Sequence, residues 1–528
     1  MDKESRKLKR EVRKSENLIK RVVLKSAFVI LALGIQIAVF FALYTATGLA
    51  YEYKSFVYNL IRIIAIIYLL CRHDTSQYKI PWILFIMFVP VLGICVYAFW
   101  GNNRIRRKKQ IEIKEIENNT NYLFDGSFEI DAKIKNNDKL VYNMLQYIQN
   151  ITSYPVCGNV SSKYYDVGEK LFEDLIKDIK SAKKYIFMEF FIIDKGKLSD
   201  EVFSILKQKV KEGVEVKIIY DSFGCLGKFK KKMREDLINA GVEVRVFNPL
   251  SVLINSYLNN RLHRKIIAID GNISYTGGIN LADEYANIKE RFGHWKDVGI
   301  RFEGEVSWNF TLMFLRDLDF ITKKGKIDYD KYKNISIQNI EEDKQNGIVV
   351  ALSDGPNNRK NPIETIYMQI INTASNYVYI TTPYFAISEP MLTSLLNASR
   401  SGVDVRVILP HIPDKKVVQM ATRSYYEVLL SAGIKVYEYK PGFIHSKTFV
   451  SDDKIAVVGS ANMDYRSMNL DYECISMIYK TGTEMDVKQD FINMISNCCI
   501  EVELKDWIKR PFLKKVFESI LTAFSTMF

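Results

Sequence analysis

A chain of 528 residues is too long for one ordinary domain, and much of its 48% hydrophobic content lies in the first hundred residues. The net charge of +13 favours an anionic partner, such as lipid headgroups, nucleic acid or a phosphorylated substrate, without choosing among them. The seven cysteines form no C-x-x-C pair and lack metal-ligand spacing, which argues against a disulfide framework and a cysteine-based metal site.

The first hundred residues predict a basic arm followed by a membrane region. Residues 1–25 carry ten Lys or Arg against four Asp or Glu. Charge-free runs at 26–49 and 81–100, and a shorter apolar run at 55–71, have about the length that a bilayer crossing needs. Buried core helices are the alternative, which is weakest for the two charge-free runs. We therefore expect a multi-pass membrane region over 26–100.

Basic residues flank this membrane region on both sides, in the arm and again at 104–109. Because cytoplasmic flanks carry an excess of Lys and Arg, this pattern favours a catalytic region on the cytoplasmic face of the cell membrane. Two flanks on one side require an even number of crossings, whereas three runs are apolar. The sequence leaves the choice between two and three spans open.

Beyond a charged, Asn-rich stretch at 101–139, which predicts a linker, the chain repeats itself. Segments beginning at 181, 213 and 240 resemble segments beginning at 373, 402 and 432, at offsets of 189 to 192 residues. Strand-like and helix-like runs alternate in each copy, which favours an α/β fold with a largely parallel sheet covered by helices. We expect halves at 140–340 and 341–510.

The C-terminal segment at 511–528 is amphipathic. Its apolar residues recur at helical spacing, so it predicts a helix. Two readings are equally good: the helix lies on the bilayer, or it packs on the protein.

Each half contains one copy of the pattern H-x-K-x-x-x-x-D, at 263–270 and at 445–452. A turn of small residues follows each copy at the same distance and ends in Asn280 or Asn462. On a strand, side chains at positions i and i+2 point to the same face, so the His and Lys of each copy can approach one phosphate together. The alternative is that both histidines are buried core residues without a catalytic role, and the duplicated context argues against it.

Two such half-sites facing each other would surround a single phosphorus. One imidazole can act as nucleophile and the other can protonate the leaving oxygen, while Lys and Asn side chains stabilise the transition state without a metal or other cofactor. A carboxylate usually holds the second ring nitrogen of such a histidine, and Asp297 and Glu473 are our candidates. The candidate catalytic residues are His263, Lys265, Asp270, His445, Lys447 and Asp452. A structural role at a strand end remains open for Asp270 and Asp452.

The duplicated motif resembles the signature of the phospholipase D superfamily over roughly residues 140–510. The resemblance implies an α/β fold of two halves with pseudo-twofold symmetry, each a mixed β-sheet flanked by helices, preceded here by N-terminal transmembrane helices. It also implies one shared active site and a phosphohistidine intermediate. Matching the motif assigns catalytic roles to His263, Lys265, His445 and Lys447, and phosphate-side roles to Asn280 and Asn462.

Within that superfamily the layout is similar to bacterial cardiolipin synthases. The resemblance is carried by Pro81-Trp82, the run 278–285, Trp295-Lys296-Asp297 and the run 462–467. It implies transfer of a phosphatidyl group between two phosphatidylglycerols, giving cardiolipin and glycerol, with His263 as nucleophile and His445 as acid and base. The implied partners are phosphatidylglycerol and anionic membrane lipids, not nucleic acid.

Other readings of the same residues stay open. A phospholipase D-type hydrolase or nuclease would carry the same motif, and a non-catalytic lipid-binding protein is a more distant alternative. The sequence does not fix which histidine attacks, the acyl-chain preference or the oligomeric state.

Overall fold

The computed structural model describes residues 18–45, 49–101, 105, 107–124, 132–249, 259–322, 327–333, 347–358 and 360–527. Residues 1–17 of the predicted basic arm lie outside these ranges. The predicted boundary between the halves, at 340/341, also lies outside them.

The N-terminal region forms four helices: α1 (Leu18–Tyr44), α2 (Leu49–Leu70), α3 (Ser76–Phe88) and α4 (Pro90–Trp100). Among the described residues, one stretch in α2, Tyr51–Leu70, is long and apolar enough to cross a membrane. It contains most of the run expected at 55–71. The run expected at 26–49 falls partly in α1, where the apolar stretch Ile30–Ala42 is shorter.

The run expected at 81–100 as one span is divided between α3 and α4. Val89 ends α3 in a non-helical conformation and Pro90 begins α4, because a proline ring disfavours a helical conformation in the residue before it. The α3 helix packs on the second half, where the Tyr78 and Tyr465 rings stack with centroids 5.6 Å apart. The run at 81–100 is therefore interrupted at Val89-Pro90, and its crossing of a membrane stays a prediction.

The segment predicted as a linker at 101–139 is largely helical where the structure describes it: α5 (Arg107–Thr120), α6 (Ala132–Asn137) and the start of α7 (Lys139–Ile151). Arg316 of the first half donates from Nε to Thr120 Oγ1 at 2.8 Å, and Ile113 packs against the main core. The linker prediction is wrong for these residues, because isolated apolar side chains in a polar stretch still give α5 one face that can be buried.

The first half is a seven-stranded mixed sheet in the order β1-β7-β6-β5-β2-β3-β4. Strands β2, β3 and β4 run parallel, and the other neighbours are antiparallel, so the sheet is not largely parallel. Its elements are β1 (Val160–Tyr165), α8 (Gly168–Ser181), β2 (Tyr185–Phe190), α9 (Lys197–Lys211), β3 (Glu215–Asp221), α10 (Lys231–Asn239), β4 (Glu243–Phe247), β5 (Ile266–Ile269), β6 (Ile273–Gly277), β7 (Gly299–Gly304) and α11 (Val306–Thr322).

The second half repeats this plan in an eight-stranded sheet, β17-β12-β11-β9-β13-β14-β16-β8, with a separate two-stranded pair, β10-β15. Strands β9, β11 and β12 are the parallel set. Its elements are β8 (Ile348–Asp354), α12 (Pro362–Thr373), β9 (Tyr377–Thr381), β10 (Phe385–Ala386), α13 (Glu389–Arg400), β11 (Asp404–Pro410), α14 (Lys416–Ser424), α15 (Tyr426–Ser431), β12 (Lys435–Tyr439), β13 (Thr448–Ser451), β14 (Ile455–Gly459), β15 (Met463–Asp464), α16 (Tyr465–Asn469), β16 (Glu473–Tyr479), α17 (Thr483–Cys498), β17 (Cys499–Glu501), α18 (Leu504–Ile508) and α19 (Phe512–Ala523).

One hydrophobic core joins the halves. Helix α11 is buried over most of its length and packs against strands of both sheets, β5 and β7 of the first and β8 of the second. Strands β5 and β13, which follow the two His-x-Lys triplets, occupy equivalent inner positions of their sheets, and every residue of both is buried. The shared core therefore fixes the two motif copies relative to each other.

Candidate active site

Backbone hydrogen bonds between the halves hold each histidine in place. The His263 N–H donates to Tyr472 O at 2.9 Å, and the His445 N–H donates to Lys296 O at 2.7 Å. Each bond belongs to a short parallel bridge, Leu262 with Tyr472 and Lys296 with Ile444. The residues before β5 thus pair with those before β16, and the residues before β13 pair with those before β7.

Each histidine is held by a carboxylate of the other half. His263 Nδ1 lies 2.8 Å from Glu473 Oε1, and His445 Nδ1 lies 2.6 Å from Asp297 Oδ2. Both carboxylates are fully buried, and this burial raises the pKa of Asp297 and of Glu473 to about 7. Asp297 and Glu473, the two carboxylates selected from the sequence, therefore each lie against the histidine of the opposite half.

The imidazoles are poised as neutral rings. Burial, followed by the charge of the neighbouring lysines, holds the pKa of His263 and His445 well below its usual value. An ionised carboxylate only accepts hydrogen bonds, so it selects the tautomer with a proton on Nδ1 and leaves the Nε2 lone pair available. This is the protonation state that a nucleophilic imidazole requires.

Two buried lysines supply positive charge beside the rings. Lys265 Nζ donates to His263 O, and Lys447 Nζ donates to His445 O and lies 2.9 Å from His445 Nδ1. Burial lowers the pKa of Lys265 to about 8 and of Lys447 to about 7. A bound phosphate would raise these pKa values, because an adjacent anion favours the protonated amine. Desolvated cations of this kind form a site for an anionic group.

Asn280 and Asn462 occupy equivalent positions in the turns that follow β6 and β14. Asn280 Nδ2 donates to Tyr285 Oη at 2.8 Å, and its Oδ1 accepts from the Ile192 N–H at 2.9 Å. Asn462 Nδ2 donates to Ser467 Oγ at 3.1 Å. Each amide thus bonds a side chain five positions later, and a phosphate-side role for either remains a prediction.

The structure corrects the catalytic assignment of Asp270 and Asp452. The Asp270 carboxylate accepts backbone N–H bonds from Lys183, Lys184 and Tyr185 at 2.7 to 2.8 Å. Asp452 accepts the equivalent three bonds, at 2.7 to 2.9 Å, in the second half. Seven residues of extended chain at ~3.3 Å each place Asp270 roughly 20 Å from His263. Both carboxylates hold the backbone at the start of a neighbouring strand, away from the site.

Aromatic side chains surround the two imidazoles, and no sequence motif indicated them. The Phe191 ring meets His263 edge-on at 5.0 Å between centroids. The rings of Tyr285, Trp295 and Phe443 lie 5.6 to 5.9 Å from His445. Two of these rings, Tyr285 and Trp295, fall in runs that carried the family resemblance, whereas Phe191 and Phe443 lie in strand-end segments without a distinguishing pattern.

One small residue differs between the half-sites. Ser460 Oγ donates to Glu473 Oε2 at 2.5 Å, whereas Gly278 occupies the equivalent position, 182 residues earlier, beside Asp297. A Cβ at Gly278 would lie 2.1 Å from Asp297 Oδ1, so a side chain there would displace the carboxylate. The described part of the chain contains no group of three or more His, Cys, Asp or Glu side chains arranged to hold a metal ion.

Comparison with protein families gives two matches. Residues 175–290 and 367–495 match a family described as cardiolipin synthase, phospholipase D-like domain. Residues 60–102 match a family described as phospholipase D-nuclease N-terminal. The two segments of the first match contain both His-x-Lys triplets, and the second match covers the second half of α2 and all of α3 and α4.

Individual proteins give the same picture. An uncharacterized protein of Streptococcus mutans serotype c (strain ATCC 700610 / UA159) is 38% identical over 81% of this chain and 92% of its own. A cardiolipin synthase of Clostridium perfringens (strain SM101 / Type A) is 34% identical over 84% of this chain and 93% of its own. The crystal structure of a phosphatidylserine synthase from Haemophilus influenzae Rd KW20 superposes with a TM-score of 0.56 at 15% identity, covering 72% of this chain and 99% of that one. This last likeness concerns the fold alone.

Proposed function

The chain belongs to the phospholipase D superfamily as a cardiolipin synthase-like protein, and we propose that it transfers a phosphatidyl group from one phosphatidylglycerol to another. The products are cardiolipin and glycerol. The observation that carries the proposal is the single site in which each imidazole is held by a carboxylate of the other half.

The first step forms a phosphohistidine. His263 Nε2 attacks the phosphorus of the first phosphatidylglycerol, and the bond from phosphorus to the headgroup glycerol oxygen breaks. The bound phosphodiester anion raises the pKa of His445, so this ring takes up a proton once the substrate is in place. The protonated His445 then gives its Nε2 proton to the glycerol oxygen, and glycerol leaves. Asp297 stabilises the imidazolium before this transfer, and the two lysines stabilise the charge that develops on the phosphoryl oxygens.

The second step reverses these roles. The terminal hydroxyl of a second phosphatidylglycerol attacks the phosphorus, and the P–N bond to His263 breaks. The hydroxyl proton passes to His445, which restores the starting state. Two phosphatidylglycerols are thus converted to one cardiolipin and one glycerol. The order of the histidines follows the family resemblance, and the two half-sites are alike enough that the reverse order uses the same atoms.

One feature favours transfer over hydrolysis, and a second favours a lipid over nucleic acid as the substrate. The rings around the histidines leave side-chain exposures of only 12% for His263 and 8% for His445, which limits the access of water to a phosphohistidine. The N-terminal apolar helix suggests membrane anchoring, which supports a lipid substrate at the cell membrane over nucleic acid. A multi-pass arrangement with the catalytic region facing the cytoplasm is part of the proposal.

The test is to incubate the purified full-length protein with vesicles of acyl-labelled phosphatidylglycerol and to resolve the lipid products. We expect labelled cardiolipin and one glycerol released for each cardiolipin formed. Phosphatidic acid as the lipid product would replace the proposal with a hydrolase. His445→Ala protein, purified and reconstituted in the same way, is the control for contaminating activity.

A further inference from the structure

Helix α19 (Phe512–Ala523) has the opposite polarity to an ordinary surface helix. Its inward side is polar: Glu518 is buried and accepts from Arg510 Nη1 at 2.8 Å, Lys515 pairs with Glu427 at 3.0 Å, and Thr522 Oγ1 hydrogen-bonds Ser424 Oγ. Its outward side is apolar, with an exposed stripe at helical spacing: Leu513, Val516, Phe517 and Ile520. Phe512 extends this stripe and is 76% exposed.

An exposed apolar stripe beside an internal polar face is unfavourable in water, because it leaves hydrophobic area solvated while polar groups are taken out of water. Specific bonds fix the orientation, so the helix cannot gain by rotating. Such a face is normally covered by a partner.

The apolar stripe continues onto the N-terminal region. Helix α19 lies beside α3, and the 3₁₀ turn that follows it, Ser525–Met527, also contacts α3. On α3, Ile80, Met87 and Phe88 are 50% to 71% exposed. Only five residues separate α3 from α2, the helix long and apolar enough to cross a membrane. The exposed surface therefore adjoins the segment whose surroundings would be lipid.

Helix α14 packs along α19 and extends this surface toward the active site. Lys415 and Lys416 stand at the start of α14, and Val417 beside them is 44% exposed. Lys415 Nζ lies 5.2 Å from the centroid of the Tyr384 ring. The Tyr384 ring lies 6.5 Å from the ring of Phe443, which in turn lies 5.9 Å from His445, so this rim is connected to the site through two aromatic side chains.

The first half supplies an equivalent rim after β3. Phe223 is 57% exposed and Leu226 is 44% exposed. Their loop packs on Phe191, since Cys225 Sγ donates to Phe191 O at 3.4 Å, and the Phe191 ring contacts His263. The segments that follow two equivalent parallel strands, β3 and β11, thus both expose apolar side chains near the site.

We propose that α19, the exposed side of α3 and these two rims form one surface that docks on the anionic bilayer. The apolar stripe of α19 enters the boundary between headgroups and acyl chains, and lysines such as Lys415 and Lys416 face the headgroups. The mouth of the site then opens onto the lipid surface, so a lipid substrate can enter without crossing water. This entry route for the lipid substrate rests on the proposed function, whereas docking on the bilayer does not.

A spectroscopic test needs no turnover. Phe517→Trp protein is reconstituted in phosphatidylglycerol-containing bilayers whose acyl chains are brominated near the headgroup, and its emission is compared with that of the wild type. We expect the added tryptophan to be quenched. Met485→Trp is the matched control, because Met485 is 44% exposed on α17, outside the proposed surface. Equal quenching of the two added tryptophans, or none at position 517, would overturn the docking proposal.

A functional test separates docking from chemistry. Leu513→Glu and Phe517→Glu are each assayed with phosphatidylglycerol in bilayers and with short-chain phosphatidylglycerol dispersed in detergent. We expect the ratio of bilayer to dispersed turnover to fall about tenfold, because a charged side chain opposes insertion. The ratio should stay unchanged in Met485→Glu. An unchanged ratio in both α19 variants would contradict the proposal, whereas wild-type protein that makes no cardiolipin in either assay would contradict the proposed function instead.

Discussion

The two half-sites are built from equivalent residues but in unequal surroundings. Both imidazoles are fixed by a backbone bond and a carboxylate from across the interface, at 2.8 Å for His263 and 2.6 Å for His445. Yet three aromatic rings surround His445 and one contacts His263, and Ser460 bonds Glu473 where Gly278 adjoins Asp297. Neither half is therefore a complete site, while the asymmetry allows the two imidazoles to take different roles.

The strongest test of this comparison is removal of each imidazole. His263→Ala and His445→Ala should each lower turnover by about 10⁴-fold, because nucleophile and proton donor are both essential. If His263 is the nucleophile, His445→Ala should still retain label from phosphatidyl-labelled substrate after denaturation, whereas His263→Ala should not. The opposite pattern would exchange the roles of the halves, and high turnover in either variant would refute the shared site.

The next largest loss of activity is expected when the carboxylates that hold the histidines are neutralised. Asp297→Asn and Glu473→Gln should each lower kcat by about 10² to 10⁴, because an amide can hold the imidazole in the wrong tautomer and cannot stabilise its charge. Steady-state assays of both variants, with circular dichroism as a check on folding, measure the effect. A small effect from one of them would show that its half-site does not need a charged partner.

Exchanging the small residues tests the asymmetry directly. Gly278→Ser should lower turnover strongly, because the new Cβ would lie 2.1 Å from the present position of Asp297 Oδ1. Ser460→Gly should lower turnover about tenfold, which is the order expected when one hydrogen bond to a charged group is lost. Parallel kinetics of the two variants give the comparison. Equal, small losses would show that the two positions are interchangeable.

The pH profile tests the electrostatics that the halves share. The acid limb of kcat/KM should lie near pH 7, where Asp297 and Glu473 ionise, since burial raises the pKa of both to about 7. The alkaline limb should follow deprotonation of the lysines, whose pKa values burial lowers to about 8 for Lys265 and about 7 for Lys447. Ser460→Ala should move the acid limb upward, because the Ser460 hydrogen bond lowers the pKa of Glu473. An acid limb below pH 5 would contradict this picture.

The smallest effect on activity is expected at Asp270 and Asp452. Replacing either with Ala removes three backbone hydrogen bonds and should lower the free energy of unfolding by about 1–3 kcal/mol. Turnover per folded molecule at low temperature should stay close to the wild type. Denaturant unfolding of each variant in detergent solution measures its free energy of unfolding. A loss of turnover comparable with that of the histidine variants would restore a catalytic role.

Much of the fold and site follows from local pattern. The repeat offsets indicated two halves, and the H-x-K spacing indicated that an imidazole and an amine lie close together, although both triplets precede their strands. Two predictions differ from the structure, because the local pattern behind each is compatible with more than one structural role. The final Asp of the motif belongs to a left-handed turn, with φ of 52° at Asp270 and 54° at Asp452, and not to the site. The polar stretch after residue 101 forms a packed helix because α11 offers it a surface.

Local sequence specifies the duplicated strands, the residue types at the site and the apolar helix near the start, because these depend on residues close together in the chain. Tertiary structure alone decided that Glu473 holds His263 and that Asp297 holds His445. Those partners lie 210 and 148 positions apart, and no periodicity reaches that far. It also decided that α19 turns its apolar stripe outward, since the bonds of Glu518 and Thr522 to the second half set its rotation. Local spacing specifies which side chains share a face, whereas packing of the halves specifies what each face meets.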